Sequence, residues 1–265
     1  MLILLVIVGL AGGGYTYKLR QNAQVRRSQA AAVVVAAKVA AERSVTAKKR
    51  ADAAIAPSLP FNRQQFSNDD PGSVWVVANK QRPLQPKDYA PNDLVTPSVP
   101  LRLSKGSSEM LLRQEAATAL ENLIGAGNAA GVHIMLASAY RSYSLQVAVY
   151  GNEVKNYGQA VADSESARPG FSEHQTGLAA DLEPVSRQCE IADCFADTPE
   201  GKWLAINAGS YGFLLRYPSD KVSVTGYRSE AWHYRYINPV LSAELHKQGS
   251  ITLEEFFGLP SAPAY

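Results

Sequence analysis

Apolar positions are distributed unevenly along the chain, and the first seventeen residues stand apart from the rest. Residues 2–17 contain no charged side chain, and residues 2–10 are almost entirely Leu, Ile and Val. The stretch is shorter than the ~20 residues that span a bilayer comfortably. No basic region precedes it and no small-x-small cleavage site follows it, which favours a membrane anchor over residues 1–17 rather than a cleaved signal peptide. A buried core helix is the third alternative, and the basic residues that follow argue against it.

Residues 18–70 form an Ala-rich, basic segment without a clear apolar stripe. Residues 21–56 contain neither Gly nor Pro and favour helix by propensity, but their pattern is not amphipathic. Two interpretations stay open, a helical stalk and a disordered basic tether that lies against anionic lipid. The turn cluster at residues 68–72 then marks the approach to a folded domain.

The remaining residues, 71–265, show the periodicities of one folded domain. Five apolar residues recur at the spacing of one helix face: Leu112, Ala116, Ala119, Leu120 and Leu123. We expect Gly125 to end this helix. Further helices are predicted over residues 144–157 and 198–209, and Thr252 and Glu255 have capping-box spacing for a short final helix. Short strands are predicted over five ranges: 74–77, 133–136, 178–182, 212–216 and 231–236.

These helices and strands interleave without the regular alternation of a parallel βαβ fold. The pattern therefore predicts the α+β class, with a central, mainly antiparallel sheet flanked by helices. The composition agrees with a globular domain, since 46% of the 265 residues are hydrophobic and 19% are charged.

The net charge of +2 is the sum of a basic N-terminal segment and an acidic remainder of the chain. Residues 18–50 hold nine Lys or Arg against one acid, while 17 basic and 23 acidic residues follow position 50. The positive charge therefore belongs to the segment beside the apolar N-terminus and not to the folded domain. This distribution argues against a nucleic-acid partner and for a membrane surface.

Two of the four histidines lie in polar, acid-rich surroundings that suit a metal site. A catalytic zinc ion takes three protein ligands and leaves a fourth position open, and His174, Asp181 and His233 supply such a set. Glu230, three residues before His233, can lie beside the metal without binding it and accept a proton from metal-bound water. Each residue alone is more often an ordinary hydrogen-bonding or turn residue, and their combination favours the site.

Four ordered motifs extend this picture. They are S-x-H-x-x-G-x-A-x-D at 172–181, E-x-W-H-x-R at 230–235, S-x-Y-R-S-x-x-x-Q at 138–146, and the segment 211–218. Together they resemble the zinc D-alanyl-D-alanine carboxypeptidases of the VanY type, within the LAS group of peptidoglycan peptidases. The resemblance covers about residues 74–245.

The resemblance implies zinc on His174, Asp181 and His233, with Glu230 as general base and proton shuttle. It implies that Arg141 binds substrate and stabilises the developing oxyanion. Ser172 and Gln146 are candidate contacts to the terminal carboxylate of the substrate.

We expect other roles for three residues near these motifs. Trp232 is expected to pack beneath the site rather than touch substrate, and Arg235 can equally touch substrate or orient the sheet edge through a salt bridge. Asn238 stands where related sequences often carry Gly, which affects only the local backbone.

The implied function is removal of the C-terminal D-Ala from peptidoglycan stem peptides by attack of metal-bound water. One alternative is an L,D-carboxypeptidase or endopeptidase on the same peptides, because the motifs fix the metal and not the pocket. Another is a non-catalytic, zinc-containing cell-wall binding module, which the presence of Glu230 and Arg141 disfavours. The expected location is the bacterial cell membrane, single-pass, with the catalytic domain outside the cytoplasm.

Cys189 and Cys194 are the only cysteines. In an exported protein they can close a small loop as a disulfide, which we favour over two free thiols. The basic residues after the anchor conflict with export under the positive-inside rule. Of the other two histidines, we expect His133 in a buried strand and His246 on a helix surface.

Overall fold

The computed structural model describes residues 61–249 and 252–265, and the predicted anchor and most of the predicted stalk lie outside them. One compact unit runs from Asn62 to Tyr265. It begins nine residues before position 71, because the segment 62–70 already contacts the domain. Arg63 Nη1 donates to the carbonyl of Phe256 at 2.7 Å, and Arg82 forms an ion pair with Asp69. No helix in the described ranges is both long and apolar enough to cross a bilayer.

Within the described residues, the domain contains six strands and seven α-helices in α+β order. The strands are β1 (Leu94–Val95), β2 (Leu112–Arg113), β3 (Ile134–Ser138), β4 (Ala179–Pro184), β5 (Phe213–Leu215) and β6 (His233–Tyr236). The helices are α1 (Gln114–Ala129), α2 (Tyr143–Tyr157), α3 (Gln159–Glu165), α4 (Pro199–Asn207), α5 (Val222–Thr225), α6 (Pro239–Lys247) and α7 (Leu253–Phe257). Short 3₁₀ helices connect them, and the one at Glu173–Thr176 precedes β4.

The central sheet has the strand order β3-β4-β6-β5, and every neighbouring pair is antiparallel. The antiparallel sheet predicted from the sequence is therefore confirmed. β1 and β2 form a separate antiparallel pair. Alternating residues of the central sheet bury apolar side chains against the helices, and Ile134, Leu136 and Leu182 are fully buried.

Several helix ends agree with the sequence signals. The Ser142 and Thr198 side chains cap α2 and α4, and Thr252 with Glu255 forms the complete capping box of α7. His246 is exposed on the last turn of α6, as predicted.

Three expectations are wrong. The run at residues 74–77 is buried but forms no strand, and Trp75 instead donates from Nε1 to the carbonyl of Ile237. Helix α1 continues past Gly125 to Ala129. His133 is exposed just before β3 and its Nδ1 lies 3.1 Å from Asn128 Oδ1.

Candidate metal centre and active site

The three candidate ligands are brought together by the pairing of β4 with β6. In this antiparallel register Asp181 lies directly opposite His233. His174 comes from the 3₁₀ helix just before β4, and Gly177 ends that helix with φ +69°. A side chain at Gly177 would be strained, because this φ lies in the left-handed region and a Cβ would lie 2.9 Å from Leu94 Cδ2. The glycine of the motif thereby sets the approach of His174 to Asp181.

Ligand atoms of His174, Asp181 and His233 all lie within 4.8 Å of one another, and all three residues are buried. His174 Nε2 is 3.3 Å from Asp181 Oδ2, and His233 Nδ1 is 3.2 Å from Asp181 Oδ1. Ligands at about 2.0–2.1 Å from a tetrahedral zinc ion lie about 3.3 Å apart. Asp181 Oδ1 has no hydrogen-bond partner in the described part of the chain. The donor set and its spacing therefore fit zinc.

The protonation of the two imidazoles is controlled by their neighbours. His174 Nδ1 faces the carbonyl of Ala139 at 2.6 Å, which places the ring proton there and leaves Nε2 toward Asp181. Burial lowers the pKa of His174 and favours the neutral ring that a ligand requires. Burial also opposes a charge on His233, but Asp181 and Glu173 raise its pKa to about 10. Metal binding at His233 therefore releases a proton.

Asp181 is suited to remain ionised among these groups. Burial alone favours its neutral form, yet the adjacent His174 and His233 hold its pKa well below the usual value. The carboxylate is therefore available to a cation.

Glu230 lies beside the three ligands rather than among them. Its Oε2 is 3.5 Å from His233 Nδ1, and its side chain is 17% exposed. A turn fixes this position, because His233 N donates to the carbonyl of Glu230 and Glu230 N donates to the carbonyl of Tyr217. Burial raises the pKa of Glu230 to about 7, from the usual 4.5. The carboxyl group can therefore exchange a proton near neutral pH.

Arg141 lines the cavity that opens over His174, Asp181 and His233. Gln146 does not line this cavity. Gln146 is fully buried behind Arg141 and accepts from Arg141 Nη1 at 3.2 Å. Its amide nitrogen donates to the carbonyl of Ala167 at 2.6 Å and to Ser166 at 3.2 Å. Gln146 is thus placed to hold Arg141 and the cavity wall, and its expected contact with substrate stays a prediction. Arg141 Nε has no hydrogen-bond partner among the described residues and remains available to donate.

A cavity of about 380 Å³ opens over these groups. Ser172 lies on its wall, together with Tyr217, whose ring centroid is 4.9 Å from that of His233. Trp232 also lines the cavity and is only partly buried. The expectation that Trp232 packs beneath the site is thus corrected.

The loop after β4 supplies another part of the wall. Cys189 and Cys194 form a disulfide in this loop, with Cα atoms 5.5 Å apart. Ile191, between them in the sequence, reaches the cavity. Arg102 ties the loop to the sheet, because it pairs with Glu190 at 3.3 Å and with the buried Glu183 at 3.2 Å.

The chain is similar in sequence to a family of known proteins. The model of the VanY family, described as D-alanyl-D-alanine carboxypeptidase, matches residues 109–239. The chain is 39% identical over 188 residues to YodJ of Bacillus subtilis (strain 168), which covers 71% of this chain and 68% of that protein. The chain belongs to the VanY family. A D-alanyl-D-alanine carboxypeptidase of Enterococcus faecalis (strain ATCC 700802 / V583) is 36% identical over 146 residues, and the match covers 52% of each protein.

Solved structures with a similar fold support the family assignment. The LdcB LD-carboxypeptidase matches with a TM-score of 0.67 and 38% identity, over 71% of this chain and 87% of that one. The VanY D,D-pentapeptidase from a VanB-type resistance cassette, determined as a mutant in complex with Zn(II), matches with a TM-score of 0.56 and 29% identity. That match covers 68% of this chain and 97% of the pentapeptidase.

Sequence reasoning missed Glu173, which is buried one residue before His174 in the same VanY motif. Its Oε2 lies 3.5 Å from His233 Nε2. The salt bridge expected of Arg235 is present, to the fully buried Glu173, but β6 lies inside the sheet and not at its edge. The position of Glu173 beside a candidate ligand was the available signal, but its partners come from distant segments.

Proposed function

We propose that this VanY-family chain is a zinc-dependent D-alanyl-D-alanine carboxypeptidase that removes the C-terminal D-Ala from peptidoglycan stem peptides. The convergence of His174, Asp181 and His233 within 4.8 Å, with Glu230 beside them, carries the proposal. The name of the Enterococcus faecalis relative supports the substrate, and the Zn(II) complex of the structural neighbour supports the metal.

The roles of the side chains follow from their positions around the cavity. Zinc, when bound, lowers the pKa of a water molecule to about 7 and polarises the scissile carbonyl. Glu230 Oε2 takes a proton from the attacking water and delivers it to the nitrogen of the leaving D-Ala. Arg141 donates to the carbonyl oxygen as negative charge develops on it. The Ser172 hydroxyl lies on the wall where it can donate to the terminal carboxylate.

Removal of D-Ala by an L,D-carboxypeptidase is the second candidate function. The similarity to the LdcB LD-carboxypeptidase favours it, because that structure has the higher TM-score of the two reported. The same ligands and base serve both reactions, so the cavity wall determines which peptide is accepted.

Defined stem peptides separate these functions. The purified chain is incubated with a pentapeptide ending in D-Ala-D-Ala and, separately, with a tetrapeptide ending in one D-Ala. The products are identified by mass spectrometry. We expect loss of one alanine from the pentapeptide, abolished by a chelator and restored by Zn²⁺. Cleavage of the tetrapeptide alone indicates the L,D activity. Zinc binding without cleavage of either peptide indicates a binding module.

The proposed location follows from the substrate. Peptidoglycan lies outside the cytoplasm, and the disulfide between Cys189 and Cys194 suits an oxidising compartment. We therefore place the catalytic domain on the outer side of the bacterial cell membrane, with residues 1–17 as its anchor.

A further inference from the structure

A fully buried network of four charged side chains lies behind the candidate metal centre. Arg216 Nε pairs with Glu173 Oε1 at 2.9 Å, and Arg235 Nη1 pairs with the same oxygen at 3.0 Å. Arg216 also forms a bidentate pair with Glu254, at 2.6 and 2.9 Å. None of the four side chains is exposed to solvent. Two positive and two negative charges therefore balance inside the protein.

The network leaves one oxygen unused, and that oxygen faces a candidate ligand. Both arginines contact Glu173 Oε1, while Oε2 has no hydrogen-bond partner among the described residues. His233 Nε2 also lacks a partner there, and it lies 3.5 Å from this oxygen. A shift of a few tenths of an ångström brings the two atoms within hydrogen-bond distance.

The other nitrogen of His233 points the opposite way, toward the site. Nδ1 lies 3.2 Å from Asp181 Oδ1, so this nitrogen is the one placed to bind the metal. A neutral imidazole that binds metal through Nδ1 carries its proton on Nε2. His174 has the reverse arrangement, since its Nδ1–H donates to the carbonyl of Ala139 and its Nε2 faces the site. Glu173 is thus the matching acceptor for His233.

We propose that Glu173 is the positioning residue that fixes the ring and tautomer of His233, and that Arg216, Arg235 and Glu254 hold Glu173 in place. The inference rests on the proposed metal site. It also links the C-terminal helix α7 to that site, because Glu254 reaches His233 through Arg216 and Glu173. Burial of four charges for stability alone is inefficient, since apolar replacements of buried ion pairs are often as stable. A role in metal binding accounts for both the burial and the unused oxygen.

The variant Glu173→Gln keeps the shape of the side chain and removes its charge. We expect Zn²⁺ binding, measured by competition with a chromophoric chelator, to weaken 10- to 100-fold. We also expect an altered visible spectrum of the Co²⁺-loaded chain, which reports ligand geometry. Glu254→Gln, two contacts farther from His233, should weaken zinc binding less.

Glu183→Gln is the matched control. Glu183 is also buried, with one oxygen on Arg102 and the other without a hydrogen-bond partner in the described ranges, but it does not line the cavity. This variant should leave the Zn²⁺ affinity and the Co²⁺ spectrum unchanged. If Glu173→Gln lowers the melting temperature of the metal-free chain but leaves zinc affinity intact, the network is structural and the inference is overturned.

A measurement on the unaltered chain covers the case in which Glu173→Gln does not fold. In the Zn²⁺-loaded protein, ¹⁵N NMR of the imidazoles should show His233 bound to metal through Nδ1 and protonated at Nε2. Coordination through Nε2 would overturn the inference. Failure of the unaltered chain to bind zinc at all would instead refute the proposed function.

Discussion

Glu230 lies beside the candidate ligands and outside the group of side chains that can hold the metal. Its Oε2 is 3.5 Å from His233 Nδ1. We expect Glu230→Gln to retain zinc and to lose about 10²- to 10⁴-fold in kcat, the usual contribution of a general base. Steady-state kinetics on the pentapeptide, with zinc content determined by elemental analysis, measure both quantities. Glu183→Gln serves as the control. Full turnover by Glu230→Gln would exclude Glu230 as the general base.

The ionisation of Glu230 also sets the pH dependence. Burial raises the pKa of Glu230 to about 7 in the metal-free chain, and a bound dication lowers it toward the usual 4.5. The base must be ionised, so kcat/KM should rise with pH through a single limb between those values. Zinc content is followed at each pH to separate this limb from metal loss. A kcat/KM that falls as pH increases across this range would contradict the assignment.

At the scale of elements, the disulfide loop after β4 contains three of the four non-glycine residues with positive φ in the described part of the chain. Arg187, Cys189 and Ile191 have φ values of 60°, 58° and 45°. Such conformations cost about 1 kcal/mol or more for each non-glycine residue. The disulfide and the pairing of Glu190 with Arg102 hold the loop in this form. Ile191 therefore depends on both for its place in the cavity.

Replacing both cysteines by serine should release this loop. We expect the free energy of unfolding to fall by about 2 kcal/mol, as for a short closed loop. We also expect a higher KM for the pentapeptide with kcat unchanged, because Ile191 lies on the wall and away from the proton transfer. Chemical denaturation and steady-state kinetics test these effects, with the exposed Val185→Ala in the same loop as control. An unchanged KM in the destabilised variant would show that the loop does not shape the cavity.

The elements also show where sequence reasoning fails. A glycine costs about 1 kcal/mol inside a helix, yet α1 passes Gly125 because Leu123, Ile124 and Gly127 continue its buried face. The apolar run at 74–77 has the composition of a strand, but its backbone has other partners, and Val77 N donates to the carbonyl of Asn68. Apolar runs of this length do not distinguish a strand from a buried loop.

Local motifs bring the candidate metal ligands into view in the sequence, whereas the residues that hold them in place depend on contacts between distant segments. His174 and Asp181 share one short motif, so turn and strand spacing suffice to place them near each other. Asn238 has φ 65° and ψ 160°, a region typical of glycine, which explains the Gly expected there. Its side chain offsets this by capping α6. Glu173 is different, because its partners Arg216 and Arg235 lie on distant segments and no spacing rule connects them. Gln146 shares a motif with Arg141, but its other partners follow a later helix.

At the scale of the whole molecule, the metal should contribute to stability. Three buried polar side chains, a carboxylate and two imidazoles, converge within 4.8 Å of one another. A ligand at 100 times its Kd stabilises a folded protein by about 2.7 kcal/mol. We expect a chelator to lower the melting temperature and Zn²⁺ to restore it, as measured by calorimetry. His233→Ala is the control and should show no response to either. An unaltered chain that melts identically with and without Zn²⁺ would contradict the site.

The location of the catalytic domain is the remaining whole-molecule question, because two features favour opposite sides of the membrane. The disulfide favours an oxidising compartment, whereas nine Lys or Arg within residues 18–50 favour retention of that segment in the cytoplasm. The conflict is limited, since only charges within about 15–20 residues of a membrane-spanning segment set its orientation, and four of the nine basic residues lie that close to residue 17. The substrate and the disulfide concern the folded domain directly, and we give them greater weight.

We therefore expect protease added to intact bacterial cells that express the full chain, after enzymatic opening of the wall, to degrade the catalytic domain. The domain should remain with the membrane fraction before digestion and lose that association when residues 1–17 are deleted. A cytoplasmic marker protein must survive the same treatment, which controls for lysis. Trapping of free thiols before lysis adds an independent readout, because Cys189 and Cys194 should be inaccessible to alkylation until a reductant is added. A protected domain with alkylated cysteines would place it in the cytoplasm and refute the proposed location, while leaving the zinc peptidase chemistry to be judged by the peptide assay.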